Sequence, residues 1–219
     1  MNVIYELFRW IGVITGYPFY WFFLKTKYYY ENPERKNRRI PGGALIISNH
    51  FNPLDFVQNV FVFFPRKLWI VASEDAFRFR LQSFGMKFWG GIMANRKTKS
   101  MRFIADSVKQ LQKGNLVQIF PEGHNTPDGT IKEFYPSYVM IALRAKTPIV
   151  PVISDGAYGF RKRVHIMFGE PIDVQQYYDE SKKLRQNVDD INEIIHNKVL
   201  QLREELDVRI QEDKKGKSK

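Results

Sequence analysis

His50 and Asp55 stand in the run Ser48-Asn49-His50-Phe51-Asn52-Pro53-Leu54-Asp55. If the chain turns at Asn52-Pro53, the carboxylate can hold one ring nitrogen and leave the other free as a base near neutral pH. Taken alone the spacing is ambiguous, because a polar side chain at a helix start also serves as a cap. Of the 4 histidines, His165 and His196 fall inside a strand and a helix and read as structural. His124 belongs to a second loop, which opens with Phe120-Pro121-Glu122-Gly123. A carboxylate beside glycine at a strand end can meet substrate hydroxyls while the backbone comes close, although the same residues also suit a surface turn. In the run from Gly90 to Arg96 a strand carries Arg96 to its end, where a guanidinium suits a phosphate. Alone, that arginine is equally a surface cation. The fourth place, Thr147-Pro148-Ile149-Val150-Pro151-Val152, is rigid and chemically blank.

These four places need a scaffold. Short apolar runs alternate with amphipathic stretches beyond Gly42, which predicts an α/β sheet covered by helices. Strands are expected over 44–48, 68–72, 91–94, 116–120, 149–153 and 164–168, and helices over 54–63, 78–88, 100–112, 137–145 and 188–210. In such a sheet, functional residues gather beyond the carboxyl ends of the strands, where the first three places fall. The organisation expected is an N-terminal membrane-associated segment (1–30), an α/β domain (31–187) and a C-terminal amphipathic helix with a basic tail (188–219).

The N-terminal segment is read as a membrane element. Trp10 to Leu24 carries no charge, but the run falls short of the roughly 20 residues a spanning helix needs. Gly16 and Pro18 interrupt it, which predicts two short helices meeting at a bend, a hairpin lying in one leaflet. Trp10, Tyr17, Tyr20, Trp21 and Tyr28 to Tyr30 are then expected at headgroup level, followed by Arg35, Lys36, Arg38 and Arg39, each worth about 1 kcal/mol against anionic lipid. A signal peptide is disfavoured, since bulky tyrosines stand where a cleavage site would be. The competing reading is a helix packed on the body.

Order and spacing together resemble the lysophosphatidate acyltransferase family, the bacterial PlsC type, over roughly residues 40 to 155. His50 and Asp55 match its His-x4-Asp motif, Arg96 the arginine closing its second block, Glu122 and Gly123 its Pro-Glu-Gly, and Pro151 the proline of its fourth block. The resemblance implies a glycerolipid acyltransferase fold, with a mixed, mostly parallel sheet. It also implies direct transfer of a fatty acyl group from acyl-CoA or acyl carrier protein to the hydroxyl of a lysophospholipid. His50 would be the base and Asp55 its orienter. Arg96 and Glu122 would seat the acceptor's phosphate and glycerol, and Asn49, Gly123, His124 and Lys132 complete the substrate-binding set. Pro151 is structural, and neither cofactor nor metal is implied. Where the family continues Glu-Gly with Thr-Arg-Ser, this chain has His124-Asn125-Thr126 and loses a cation, for which Lys132 is the candidate replacement. That departure leaves the acceptor open.

Composition sets the rivals. A net charge of +11 asks for an anionic partner, and 0 cysteines remove thiolate nucleophiles and disulfides and agree with a cytoplasmic face. Nucleic acid is disfavoured because the aromatics cluster in an apolar block instead of interleaving with Lys and Arg. A hydrolase using the same His and Asp is the main alternative, although no Gly-x-Ser-x-Gly elbow occurs. A metal site from His50, Asp55, His124 and Asp128 is a further rival.

Overall fold

A computed structural model describes residues 3–35, 40–95 and 101–216. The elements run α1 (Val3–Phe23), β1 (Thr26–Tyr30), β2 (Ala44–Ile47), α2 (Leu54–Phe63), β3 (Leu68–Ser73), α3 (Arg80–Trp89), β4 (Gly91–Ala94), α4 (Arg102–Gln112), β5 (Leu116–Ile119), α5 (Ser137–Ala145), β6 (Ile149–Ser154), β7 (Val164–Phe168) and α6 (Leu184–Gly216). Short 3-10 turns occupy Pro33–Arg35, Glu74–Phe77 and Val174–Tyr177. The strands form one sheet in the order β1-β7-β6-β2-β5-β3-β4, parallel throughout except for the β6–β7 pair. The expected mixed, mostly parallel sheet is therefore present.

Alternation along β2 explains why this sheet is covered twice. Leu45 and Ile47 join the core under α4, α5 and α6, whereas Ala44 and Ile46 join the opposite core, which also receives Val62 and Phe63 of α2. Helices α2 and α5, which follow the neighbouring strands β2 and β5, thus lie on opposite faces. The loops leaving β2 and β5 diverge, and a crevice opens between them at the carboxyl edge.

Three expectations change. The N-terminal segment is one continuous helix through Pro18, not a hairpin. Proline removes only the bond to the Ile14 carbonyl, and both residues lie on the exposed side. The opposite stripe is held on the body, with Val13 buried, Trp10 edge-on to Phe64, Tyr20 stacked on Phe61 and Arg9 donating to the Pro65 carbonyl at 3.1 Å. Among the described residues, no helix is long and apolar enough to cross a membrane.

The Tyr28–Tyr30 triplet belongs to β1, an edge strand unforeseen in the sequence, not to a headgroup belt. Tyr28 and Tyr30 pack on Phe168, while Tyr29 turns to the other face, beside His165, and bonds Asp213. Lys36, Arg38 and Arg39 lie outside the described residues.

Lastly, α6 is longer than expected and integral to the layers. Val188, Ile191, Ile195, Val199, Leu202, Leu206 and Ile210 are buried on the sheet side, each worth about 1.5–3 kcal/mol.

Candidate active site

The β2 strand ends at Ile47 and delivers Ser48-Asn49-His50 to the crevice, and Asp55 returns in the first turn of α2. His50 Nδ1 lies 2.8 Å from Asp55 Oδ2, which also accepts the backbone N–H groups of Phe51 at 2.7 Å and Asn52 at 2.9 Å. With Nδ1 as the donor to that oxygen, Nε2 is the ring nitrogen left without a hydrogen-bond partner among the described residues. His50 stacks on Phe120, with ring centroids 4.0 Å apart and planes at 15°. The imidazole is thus fixed in tautomer by Asp55 and in orientation by Phe120.

The second Asp55 oxygen is bonded by the hydroxyl of Tyr158, which also lies 2.8 Å from Gln58 Oε1. Burial, and then the Asp55 charge, push the Tyr158 pKa far above the ordinary tyrosine value, so the phenol remains a donor. Tyr158 arrives from the β6–β7 loop, a hundred residues along the chain, and no sequence signal marked it. Phe51 anchors the same loop. Gly156 has φ of 64° and a Cβ there would lie 2.6 Å from Phe51 Cγ, so only glycine allows this approach. Arg203 of α6 lies over the Phe51 ring, with its guanidinium 5.7 Å from the centroid, and donates to the Ser154 carbonyl at 2.9 Å.

Two residues expected to touch substrate are turned inward. Glu122 is fully buried: Oε1 accepts the His50 backbone N–H at 3.0 Å, and Oε2 accepts the Lys132 N–H at 3.0 Å and the Thr126 hydroxyl at 3.2 Å. It braces the histidine's backbone against the loop after β5 and has no free oxygen aimed at an acceptor. Asn49 is likewise buried, its amide clipped to the Ser154 backbone by two bonds of 2.9 Å. Both assignments change for one reason: a buried carboxylate or amide spends its polar atoms on protein partners.

The other candidates divide. Gly123, at φ of 72°, and His124 line the cleft beside His50. Lys132 is exposed and contributes its backbone to Glu122. Pro151 is buried mid-strand in β6, opposite Ile47. Arg96 lies outside the described residues, two positions beyond the end of β4. Among the described residues, no three histidine or carboxylate side chains converge as metal ligands.

The cleft itself measures about 590 Å³ and is walled by Pro53, Phe56, Ile70, Met86, Trp89 and Phe120, with Ser73, Asp75, His124 and Asn125 as its polar groups. A second cavity of about 550 Å³, lined by Ala94, Asn95, Phe103, Tyr135 and Met140, shares the wall of Val71 to Ser73, Phe120 and Gly123. His50 thus stands at the edge of a largely apolar trough, next to a second one.

Comparison with known proteins gives this geometry its context. Residues 27–155, from β1 to just past β6 and including both the His50–Asp55 pair and Glu122, match the family model described as Acyltransferase. The chain belongs to the acyltransferase family. Curated members similar to it include the 1-acyl-sn-glycerol-3-phosphate acyltransferase of Limnanthes alba, 28% identical over 143 residues, covering 60% of this chain and 48% of the relative. A putative 1-acyl-sn-glycerol-3-phosphate acyltransferase of Caenorhabditis elegans, acl-2, is 25% identical over 148 residues, covering 66% and 47%. The chain spans about half the length of the curated relatives it matches. In fold it is similar to the crystal structure of PlsC, the 1-acyl-sn-glycerophosphate (LPA) acyltransferase of Thermotoga maritima, with a TM-score of 0.57, 20% identity and coverage of 81% of this chain and 73% of that one. The acyltransferase fold therefore accounts for the mixed sheet and its crevice.

Proposed function

We propose that the protein transfers a fatty acyl group from a thioester, acyl-CoA or acyl carrier protein, to the free hydroxyl of a lysophospholipid, with 1-acyl-sn-glycerol-3-phosphate the leading acceptor. The observation that carries this reading is the free Nε2 of His50, backed by Asp55, at the edge of an apolar cleft. His50 takes the hydroxyl proton as that oxygen attacks the thioester carbonyl. The tetrahedral adduct collapses, the C–S bond breaks, and the imidazolium returns the proton to the departing thiolate. Asp55 stabilises the imidazolium, and Tyr158 and two backbone amides hold Asp55 in place. The thioester is already activated, so the chemistry asks for no cofactor.

The two adjoining troughs suit two alkyl chains approaching one base. Arg96 is proposed to seat the acceptor's phosphate, with His124 and Lys132 at the mouth. Glu122 and Asn49 act as positioning residues for the His50 loop. The names of the curated relatives support the same acceptor class.

The lipid substrate is proposed to reach the site from a membrane on which the protein lies, on the cytoplasmic face. Leu7, Ile11, Ile14, Phe19 and Trp21 of α1 are exposed, opposite the stripe that packs on α2 and α3. The decisive experiment offers purified protein a panel of lysolipids with each thioester carrier. Thioester loss should depend strictly on a lysophospholipid bearing a free hydroxyl. Equal loss without any acceptor would replace this reading with the hydrolase.

A further inference from the structure

The β6–β7 loop has a tip that the chemistry above does not use. Phe160 is 60% exposed, yet its ring lies nearly parallel to that of Phe22, 5.9 Å away at 13°, and 5.8 Å from that of Phe23, both at the end of α1. Backbone bonds lock the two elements together: Arg161 N donates to the Phe22 carbonyl at 2.9 Å, Gly159 N to that of Phe23 at 3.3 Å and Val164 N to that of Lys25 at 2.9 Å. The tip turns back on itself through the Lys162 N–H to Gly159 carbonyl bond at 3.0 Å. Arg161, Lys162 and Arg163 follow Phe160 in succession and are all exposed, and Lys25 sits beside them with its ammonium over Trp21. Among the described residues, none of these four cations forms an ion pair with a carboxylate. The edge therefore carries an aromatic cluster rimmed by unneutralised cations and continuous with the exposed apolar side of α1.

We propose that the 159–163 tip and the end of α1 form one preformed docking edge for an anionic bilayer surface, with Phe160 entering among the acyl chains and Arg161, Lys162 and Arg163 meeting the headgroups. The inference rests on the membrane-bound reading of the enzyme and adds to it a second element and a lipid preference. Cations alone would suit an acidic protein. The stacked, exposed rings between them favour lipid, since they gain free energy only by leaving water. A few cations beside buried apolar area are what give interfacial elements their selectivity for negatively charged membranes.

The test is cosedimentation of the full chain with vesicles of phosphatidylcholine and of phosphatidylcholine mixed with phosphatidylglycerol. Wild type should partition more strongly to the mixed vesicles. The triple variant Arg161→Gln, Lys162→Gln, Arg163→Gln should lose on the order of a hundredfold in that partitioning while its binding to neutral vesicles is unchanged. Phe160→Ala should weaken binding to both by about tenfold or more. Turnover of both variants in neutral detergent micelles should match wild type, showing that they fold. Equal wild-type binding to both vesicle types, or full retention by the triple variant, would overturn the proposal while leaving the membrane-bound reading intact. Absence of wild-type binding to any vesicle would overturn both. Undiminished vesicle binding by the triple variant, with turnover lost only on acyl carrier protein thioesters, would reassign the cations to a protein partner.

Discussion

His50 and His165 each bring Nδ1 against an aspartate, at 2.8 Å from Asp55 and 2.6 Å from Asp155, and their side chains are 18% and 19% exposed. By contact chemistry alone the two pairs are equivalent. They differ in what surrounds them. Asp155 spends its other oxygen on the backbone N–H groups of His165 and Ala157, at 2.9 and 3.1 Å, so the pair ties the start of a loop to the strand that ends it. The recess beside His165 holds about 190 Å³ and is bordered by Lys27, Arg163, Asp213 and Lys214. Asp55 is instead braced by a tyrosine and two amides, and its histidine faces an apolar cleft roughly three times larger. On the proposed function, a histidine–aspartate contact is thus a fastener or a catalyst according to whether its ring meets room for an acyl chain.

The sharpest way to break this comparison is to delete each ring. His50→Ala should lower thioester consumption by about 10³-fold or more, whereas His165→Ala should leave turnover within a few-fold of wild type. Similar losses in the two variants would mean that the distinction drawn from surroundings is false. Neutralising each carboxylate comes next. Asp55→Asn should cost about 10²-fold or more in kcat, because an amide can donate to Nδ1 and favour the wrong tautomer. Asp155→Asn should show itself in thermal unfolding, at about 1 kcal/mol, with kcat retained.

A smaller effect is expected for Tyr158→Phe, about tenfold in kcat/KM. Without the phenol, Asp55 loses the donor that fixes its second oxygen and holds the imidazole less firmly. The loss should fall on kcat, with KM near that of wild type. A wild-type kcat would reduce Tyr158 to a packing role. Tyr29, beside the other pair, provides the control: Tyr29→Phe should leave kcat in place.

The smallest effect is on stability in alkali. Burial raises the folded-state pKa of Tyr29, Tyr138 and Tyr158 above the ordinary value of 10.0. The folded state holds these protons more tightly than the unfolded chain. Their contribution is therefore fully present below pH 10 and is lost as pH rises beyond it. Denaturant midpoints on either side of pH 10 should show the decline, and either phenylalanine variant should make it shallower.

Much of the scaffold was legible because its elements follow periodicities that only one environment satisfies. The runs at 91–94 and 164–168 and the helices at 54–63 and 137–145 appear at the positions expected. The edge strand Thr26–Tyr30 was not legible, because three tyrosines beside lysines suit a headgroup belt as well as a strand, and only pairing with β7 selects the latter. At Pro18 a local rule predicted a bend that packing overrode.

The sequence by itself determined the pairing of His50 with Asp55 and the order of the blocks around it. His-x4-Asp behind a strand is a local arrangement, closed by one short turn, so composition and spacing suffice to announce it. Tertiary structure alone decided which polar residues line the cleft and which brace the His50 loop. Asn49 and Glu122 look available in the chain but are consumed by Ser154 and by the backbones of His50 and Lys132, and Tyr158 arrives from a distant loop. The physical reason is that a buried polar atom must find its partners in three dimensions, and those partners are neighbours in space that the linear order does not disclose.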